Sequence, residues 1–165
     1  IRNPKVVQTI KPVLLVHGFF GDSTNFIINS PGNGTVGIIV FLTINNIGFA
    51  LAMFGYEAWF LQCRGNIDSE KHKFFTINKT FQRNTNIGTQ DEMSKYDLPA
   101  TIAYILDVTK KRKDSAKILP LFKKVLLAKI SYVGHSQGTT IALQLMASIP
   151  TYNKIDKAIL LAPIA

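Results

Sequence analysis

The chain has 165 residues, 47% of them hydrophobic and 18% charged, without repeats or low-complexity tracts. Such a chain can bury the core of one domain, and its composition excludes a disordered or fibrous protein. The formal net charge is +9, but the basic residues are dispersed except for the run KKRK at 110–113, and no nucleic-acid-binding motif accompanies them. We interpret the charge as a solvated basic face, with attraction to anionic lipid as the alternative, and expect no nucleic-acid partner.

Three features bear on the cellular compartment. Cys63 is the only cysteine, so no internal disulfide can form and the redox compartment stays open. The glycosylation sequons at Asn33 and Asn78 would suit a secreted or lumenal protein, although such triplets also arise by chance. The first residues contain neither an initiating Met nor the uninterrupted apolar core of a signal peptide, so the sequence begins as if inside a longer protein.

Four short apolar runs, each bounded by Gly, Pro or charged residues, predict buried strands. In chain order they are residues 13–16, 56–61, 129–133 and 158–161. Helical patterns lie between them, and strands that alternate with helices predict βαβ units. The predicted fold class is therefore α/β, with a mostly parallel sheet flanked by helices.

Two stretches carry helical periodicity. Between residues 92 and 109, apolar residues recur at mainly three- and four-residue steps. Pro99 interrupts this stretch, so the main helix should begin near it, with Asp97 or Leu98 at its cap. Residues 139–148 predict a second helix, which we expect to be buried nearly all round.

The apolar run at residues 36–54 is long enough to raise the question of a membrane span. Asn45 and Asn46 lie at its middle, where burying unpaired amides is costly, and Gly37 and Gly48 interrupt it. A small membrane protein that spans the bilayer here is therefore a disfavoured alternative.

The segment YVGHSQGTT contains the pattern G-x-S-x-G at Gly134, Ser136 and Gly138. The bare pattern is a weak indication, because it arises by chance in roughly one chain in twenty of this length. Here an apolar strand precedes it and a helix follows it, which is the layout of a nucleophile elbow. Glycines are needed there because side chains would collide with the neighbouring strand and helix. We therefore predict that Ser136 is a catalytic nucleophile rather than part of a chance glycine turn.

A second element agrees with this interpretation. The tetrapeptide HGFF at residues 17–20 follows the first apolar strand, where a hydrolase of this layout places the loop that donates one oxyanion N–H group. Alone it would be an ordinary strand-ending turn. Together with the elbow, it predicts an oxyanion hole formed by the backbone N–H groups of Phe19 and Gln137, helped by the positive end of the helix dipole.

Six motifs cover about two thirds of the chain: KPVLLVHGFFGDSTNF, GFALAMFGYEAWF, CRGN followed by EKHK, DEMSKYDLPATIAYIL, YVGHSQGTT and LLAPIA. In these motifs and in their order, the chain resembles the acid lipase family of the α/β-hydrolase fold. The resemblance implies that Ser136 is the nucleophile and that the N–H groups of Phe19 and Gln137 form the oxyanion hole. It also places Arg64, Gly65, Asn66 and Asp97 in motifs that we interpret as structural.

The resemblance further implies an activity and a setting. The expected reaction is hydrolysis of neutral lipid esters, triacylglycerols or cholesteryl esters, at a lipid–water interface and as part of lipid catabolism. No metal and no organic cofactor would be required. A secreted or lysosomal location is expected, and nothing in the resemblance indicates an oligomeric state.

The base and acid that a serine hydrolase needs are harder to assign. In this fold they follow the nucleophile in the order acid, then histidine. No histidine follows Ser136, and Asp156 is the only acid there, placed before the last predicted strand. His17 belongs to the oxyanion loop, His135 adjoins the nucleophile with its side chain expected to point away, and His72 lies in the EKHK stretch. The predicted triad is therefore incomplete.

We expect a partial α/β-hydrolase domain over residues 1–165, truncated before the lid and before the half that carries the acid and the histidine. Two stretches exceed the family pattern and predict inserts, near residues 35–45 and 112–127. They are interpreted as retained introns or lineage-specific loops. The stretch FQRNTNIGTQ also departs from an aromatic-rich family segment, which affects packing beneath the site.

Two main functions stay open at this point. The first is a lipase-type ester hydrolase that acts through Ser136 once the missing half is supplied. The second is a catalytically dead relative that binds lipid or a partner protein, which the absent base favours if these residues are the whole product. An in-frame Asp and His downstream would favour the enzyme.

Overall fold

The structure is a computed structural model, which describes residues 1–2, 11–27, 46–69, 89–115, 129–149 and 152–163. Several predictions lie outside these ranges: the sequons at Asn33 and Asn78, the insert near 35–45, and His72. Of the insert predicted at 112–127, only the start falls inside them. Within the described ranges, no helix is long and apolar enough to cross a membrane.

The four predicted strands are present and form one parallel sheet. They are β1 (Pro12–Val16), β2 (Glu57–Leu61), β3 (Ile130–His135) and β4 (Ile155–Leu161), in the spatial order β2-β1-β3-β4. All five residues of β1 are buried, as expected for a central parallel strand covered on both faces. The predicted α/β class is confirmed, because the parallel strands are flanked by helices in the manner of an α/β-hydrolase.

The two faces of the sheet bury separate sets of side chains, because successive residues of a strand point to opposite sides. Leu14 and Val16 of β1 belong to the larger cluster, which also contains Leu98, Ile102, Ile105, Ile130, Tyr132, Ile141 and Leu145. Val13 and Leu15 belong to the other cluster, with Phe26, Ala58 and Val133 and the partly buried Ile47 and Leu51. One strand therefore joins both halves of the core.

Four helical segments and one short turn cover the sheet. After a 3₁₀ turn (Ser23–Phe26) come α1 (Ile47–Met53), α2 (Gln90–Glu92), α3 (Leu98–Ser115) and α4 (Gln137–Ser148). The side chains of α3 and α4 supply the larger cluster, and those of α1 supply the smaller one.

Helix α3 begins at Leu98, next to Pro99 as predicted, but it is not capped there. Helical structure already starts at Gln90, and a π-helical turn (Met93–Asp97) leads directly into α3, so neither Asp97 nor Leu98 is an N-cap. The N-cap is Thr89, whose backbone N–H donates to the Glu92 carboxylate at 3.1 Å. A proline inside an α-helix clashes with the carbonyl four residues earlier. The wider turn just before Pro99 displaces that carbonyl, so the helix continues past the proline.

The structure at Asn46 argues against one helix through residues 36–54. Asn46 has an extended backbone (φ −137°, ψ 105°), and its side-chain oxygen accepts from the N–H groups of Gly48 and Phe49 at 3.1 and 3.2 Å. This is the geometry of a helix N-cap. A helix of seven residues therefore begins at the point where the disfavoured membrane span would have its middle.

Helix α4 is less completely buried than its sequence predicts. Ile141, Ala142 and Leu145 are buried against the sheet, whereas Leu143 is 44% exposed. Leu143 and Leu145 thus share one helix but differ in environment.

The basic run at 110–113 also differs from a purely solvated face, because Arg112 pairs with the buried Glu57 and lies over the Trp59 ring.

Leu143 and Leu145 of α4 provide a matched test of the core. We expect Leu145→Ala to lower the free energy of unfolding by about 2–5 kcal/mol, because it removes a buried side chain and leaves a cavity. Leu143→Ala should cost less than about 1 kcal/mol. Urea unfolding of both variants in the full chain measures the difference. Equal losses would contradict the orientation of α4.

Candidate active site

The motifs that the sequence singled out after β1, β2 and β3 lie at one edge of the sheet. Because all four strands are parallel, their carboxyl ends meet there, with Val16 beside Gly134 and His135 beside Leu161. The segments after β1, β2 and β3 carry the HGFF loop, the CRGN turn and Ser136, respectively. Open α/β sheets bind their ligands at this edge, so the location agrees with the predicted role.

Ser136 forms the turn between β3 and α4, and its backbone is strained. Its φ of 51° and ψ of −116° lie in a region that residues with a side chain rarely adopt. Its N–H donates to the carbonyl of Leu161 at 3.0 Å, and its carbonyl accepts from the Thr139 N–H and hydroxyl at 2.8 and 2.6 Å. This strand–turn–helix arrangement with a strained serine is the geometry of a nucleophile elbow.

The two flanking glycines permit the close packing of this turn. A Cβ on Gly138 would lie 2.5 Å from the backbone oxygen of Val16, and one on Gly134 would lie 2.8 Å from the backbone of Gly138. Real Cβ atoms do not approach backbone this closely, so glycine is required at both positions. The phenol of Tyr132 fixes the same turn by donating to the Gly138 carbonyl at 2.5 Å. Tyr132 was not predicted as a site residue, although its position two residues before the pattern was visible.

The HGFF loop lies directly against the serine. A Cβ on Gly18 would be 3.1 Å from Ser136 Cβ and 3.5 Å from Ser136 Oγ. Gln137 is the first residue of α4, so its N–H has no partner within the helix. Phe19 and Gln137 therefore stand on the two chain segments that flank Ser136. Their role as oxyanion donors stays a prediction.

His17 is buried and both of its ring nitrogens are engaged. Nδ1 lies 2.7 Å from the Gly18 carbonyl oxygen, and Nε2 accepts from the Cys63 N–H at 3.1 Å. A carbonyl oxygen only accepts, so Nδ1 carries the proton and the ring is neutral. With both nitrogens used, His17 is unsuited to accept a proton from Ser136.

The CRGN turn after β2 forms hydrogen bonds with the segment that contains the HGFF loop. The Asn66 amide donates to the Gly21 carbonyl at 3.0 Å and lies 3.3 Å from His17 Nε2. Gln62, which the sequence analysis missed, accepts from the Ser23 N–H at 3.2 Å and donates to Asp68 at 2.7 Å. The structural interpretation of the CRGN motif thus has a geometric basis: it anchors residues 17–23.

Arg64 ties this turn to the helical layer. Its guanidinium donates to both carboxylate oxygens of Asp97, at 2.6 and 2.5 Å, and to Glu92 at 3.3 Å. Its hydrogen bonds to the Asp97 carboxylate raise the pKa of the guanidinium above its ordinary value, so Arg64 stays charged. Asp97, expected to cap a helix, instead ends the π-helical turn and binds Arg64.

Asp156, the only acid after Ser136 in the sequence, is not brought to the serine. Asp156 lies within β4 rather than before it, at the amino end of the sheet, where it pairs with Lys11. That edge is opposite to Ser136, so Asp156 is excluded as the acid of a triad. The Nδ1 atom of His135 lies 3.2 Å from where a Gly18 Cβ would be, beside the loop. Among the described residues, no cluster of His, Cys, Asp and Glu could hold a metal ion.

Cys63 is buried and chemically quiet. Burial, with a smaller contribution from Asp97, raises the pKa of its thiol to about 12. A thiol is reactive only as the thiolate, so Cys63 is not a nucleophile at neutral pH.

Taken together, a parallel sheet flanked by helices, with a strand–turn–helix unit at Ser136, has the architecture of the α/β-hydrolase fold. No protein-family model matches the chain. Lipase member M from Mus musculus is 36% identical over 154 residues, which are 93% of this chain and 29% of that protein. Lysosomal acid lipase/cholesteryl ester hydrolase from Homo sapiens is 35% identical over 157 residues, 94% of this chain and 32% of that protein.

Gastric triacylglycerol lipase from Bos taurus is 34% identical over 154 residues, 93% of this chain and 31% of the relative. The resemblance to the acid lipase family is thereby confirmed over most of the chain. The chain spans about a third of the length of the curated relatives it matches.

The closeness of α4 to β1 predicts a sharp difference between two glycines. We expect Gly138→Ala to destabilise the fold by roughly 2 kcal/mol or more, because its Cβ would meet the backbone of Val16. Gly21→Ala is the control, since its Cβ would meet the amide end of the exposed Asn25 side chain, which can rotate away. Thermal unfolding compares the two. An unchanged midpoint for Gly138→Ala would contradict the packing described above.

The environment of Cys63 predicts slow alkylation in the folded state. At pH 8 we expect iodoacetamide to modify Cys63 at least about a hundredfold more slowly than in 8 M urea, because folding both buries the thiol and suppresses the thiolate. Mass spectrometry of quenched samples follows the reaction. Comparable rates in the two conditions would show that the CRGN turn is not packed against β1 as described.

Proposed function

We propose that the chain contributes the nucleophile and the oxyanion hole of a lipase-type carboxylic ester hydrolase, with Ser136 as the nucleophile. The observation that carries this proposal is the strained backbone of Ser136 at the end of β3, held beside the Gly18 loop. Strain of this kind persists only where the surrounding structure enforces it, and here it exposes the serine at the sheet edge.

In the proposed reaction, Ser136 Oγ attacks the ester carbonyl carbon while its proton passes to a base. The resulting oxyanion accepts from the N–H groups of Phe19 and Gln137, at the positive end of α4. Collapse of this intermediate expels the alcohol, which takes up the proton, and leaves an acyl group on Ser136. Water then hydrolyses the acyl-enzyme by the same steps.

The base and the acid are proposed to come from outside the described residues. His17 is committed to its own hydrogen bonds, and Asp156 lies at the opposite edge. The matched relatives are about three times as long as this chain, which leaves room in such proteins for the remaining partners.

The proposed substrates are neutral lipid esters, either triacylglycerols or cholesteryl esters. The names of two relatives support this, since one is a gastric triacylglycerol lipase and another a cholesteryl ester hydrolase. The structure adds an apolar surface beside Ser136: Phe19 and Phe20 pack edge to face and are 51% and 95% exposed. Exposed aromatics at a site suit an acyl chain or a lipid–water interface. A secreted or lysosomal location, with glycosylation at Asn33 and Asn78, belongs to the same proposal.

A catalytically dead, lipid-binding relative is the second candidate. It is favoured by one observation: His17, which lies in the loop beside Ser136, uses both of its ring nitrogens in other hydrogen bonds. The two candidates agree on the apolar surface and differ on whether Ser136 ever turns over an ester.

Their difference can be measured with two serines of one strand–turn unit. We expect the 165-residue chain to hydrolyse a nitrophenyl butyrate ester no faster than its Ser136→Ala variant, because the proposed base lies outside the described residues. In a chimera that supplies the remaining two thirds of human lysosomal acid lipase, activity should appear. Ser136→Ala should then lower kcat at least about a thousandfold, whereas Ser131→Ala in β3 should not.

Three outcomes are informative. Activity of the chain alone that disappears with Ser136→Ala would reveal an overlooked base. Chimera activity that survives Ser136→Ala would end the nucleophile assignment. A folded but inactive chimera that still binds lipid would support the dead relative.

A further inference from the structure

The buried ring of His17 has no part in the reaction described above, yet it bonds to the loop beside Ser136. Its Nδ1–H donates to the Gly18 carbonyl oxygen at 2.7 Å. The Gly21 N–H donates to the same oxygen at 3.0 Å. Two donors from different directions therefore hold one carbonyl group.

This carbonyl belongs to the peptide unit whose nitrogen is that of Phe19. A peptide unit is planar, and in the trans form its C=O and N–H groups point in opposite directions. No cis peptide bond occurs among the described residues. Fixing the Gly18 oxygen therefore fixes the direction of the Phe19 N–H, which must point away from His17.

The ring is itself held in one orientation from the other side. Nε2 accepts from the Cys63 N–H at 3.1 Å, and the Asn66 amide lies 3.3 Å from it. Cys63 precedes Arg64, which the bidentate Asp97 pair anchors to the helical layer. The His17 ring therefore connects the end of β2 and the helical layer to the Gly18–Phe19 peptide unit and holds that unit in place.

We propose that His17 is a positioning residue for the oxyanion hole: through its Nδ1–H it orients the Gly18–Phe19 peptide so that the Phe19 N–H faces the oxyanion at Ser136. This inference rests on the proposed function for the role of Phe19, and adds a neutral, doubly bonded histidine that aims the donor. It assigns to His17 neither proton transfer nor contact with substrate.

Two substitutions of His17 distinguish the two hydrogen bonds that its ring makes. The side-chain amide of asparagine reaches the position of Nδ1, so His17→Asn keeps a donor to Gly18 and loses the acceptor for Cys63. The side-chain amide of glutamine reaches the position of Nε2, so His17→Gln keeps the acceptor and loses the donor. If His17 orients the Gly18–Phe19 peptide, His17→Asn preserves this orientation and His17→Gln does not.

The first readout is NMR of the 165-residue chain and needs no activity. In the unmodified chain, we expect the His17 imidazole to show a protonated Nδ1 and an unprotonated Nε2. The Gly18 carbonyl and Phe19 amide resonances should stay close to these positions in His17→Asn and move in His17→Gln. A protonated Nε2 with a bare Nδ1, or a Phe19 amide that is indifferent to His17→Gln, would overturn the proposal.

The second readout is the affinity of the lysosomal acid lipase chimera described above for butylboronic acid, which forms a tetrahedral anion on a serine hydroxyl with release of one proton. We expect His17→Gln to weaken this adduct about tenfold or more, and His17→Asn to change it less than about threefold. Equal weakening by both, matched to equal losses of thermal stability, would reduce His17 to a structural residue and contradict the proposal.

Failure of the proposed function would give a different pattern in these two readouts. If the chimera forms no boronate adduct that Ser136→Ala abolishes, while the Phe19 resonance of the 165-residue chain follows the Asn and Gln variants as expected, Ser136 is not the nucleophile. In that case His17 still orients the peptide, and only the use of Phe19 as an oxyanion donor is lost.

Discussion

The contact between Gly138 and the backbone of Val16 is the constraint on which the site depends. Without a side chain at Gly138, α4 approaches β1 so closely that a Cβ would lie 2.5 Å from a carbonyl oxygen. This closeness forces the chain to turn from β3 into α4 within one residue, and that residue is Ser136 with φ 51°. The same closeness brings the end of β1, and with it Gly18, against the serine. Strain at the serine and proximity of the loop are thus two results of one close contact between backbones.

The polar groups around this contact follow a common rule: each buried one has a defined partner. Tyr132 bonds to the Gly138 carbonyl, Thr139 to the Ser136 carbonyl, and His17 to both Gly18 and Cys63. An unpaired buried polar group costs about 1–3 kcal/mol, so this pairing favours one arrangement of the loops over others. Arg64, whose side chain is 32% exposed, extends the arrangement to the helices through Asp97, which is 24% exposed. An ion pair that is partly solvated in this way adds little stability by itself. We attribute to it the placement of the CRGN turn rather than a large share of the folding free energy.

Local patterns were sufficient for much of the fold. The four strands could be predicted because short apolar runs bounded by breakers are a local signal, and the turn at Ser136 because its glycines record a packing requirement in the sequence itself. The start of α3 next to Pro99 could also be predicted, but the helical residues before it could not, since a π-helical turn leaves no simple periodic pattern in the sequence. The anchoring of Arg64 by Asp97 joins residues 33 apart in sequence. Such a contact becomes visible only when the sheet and the helix are placed side by side.

The exposed and buried groups at the site are subject to different physical constraints. The proposed oxyanion donors are backbone N–H groups, so their positions depend on buried neighbours such as His17 and Gly138 rather than on their own side chains. The side chains of Phe19 and Phe20 are therefore free to face outward and offer apolar surface. A loop built in this way can change the surface it presents to a substrate while its backbone geometry stays fixed. Substitutions at Phe20 should consequently alter what the site binds, whereas substitutions at His17 should alter how well an oxyanion is held there.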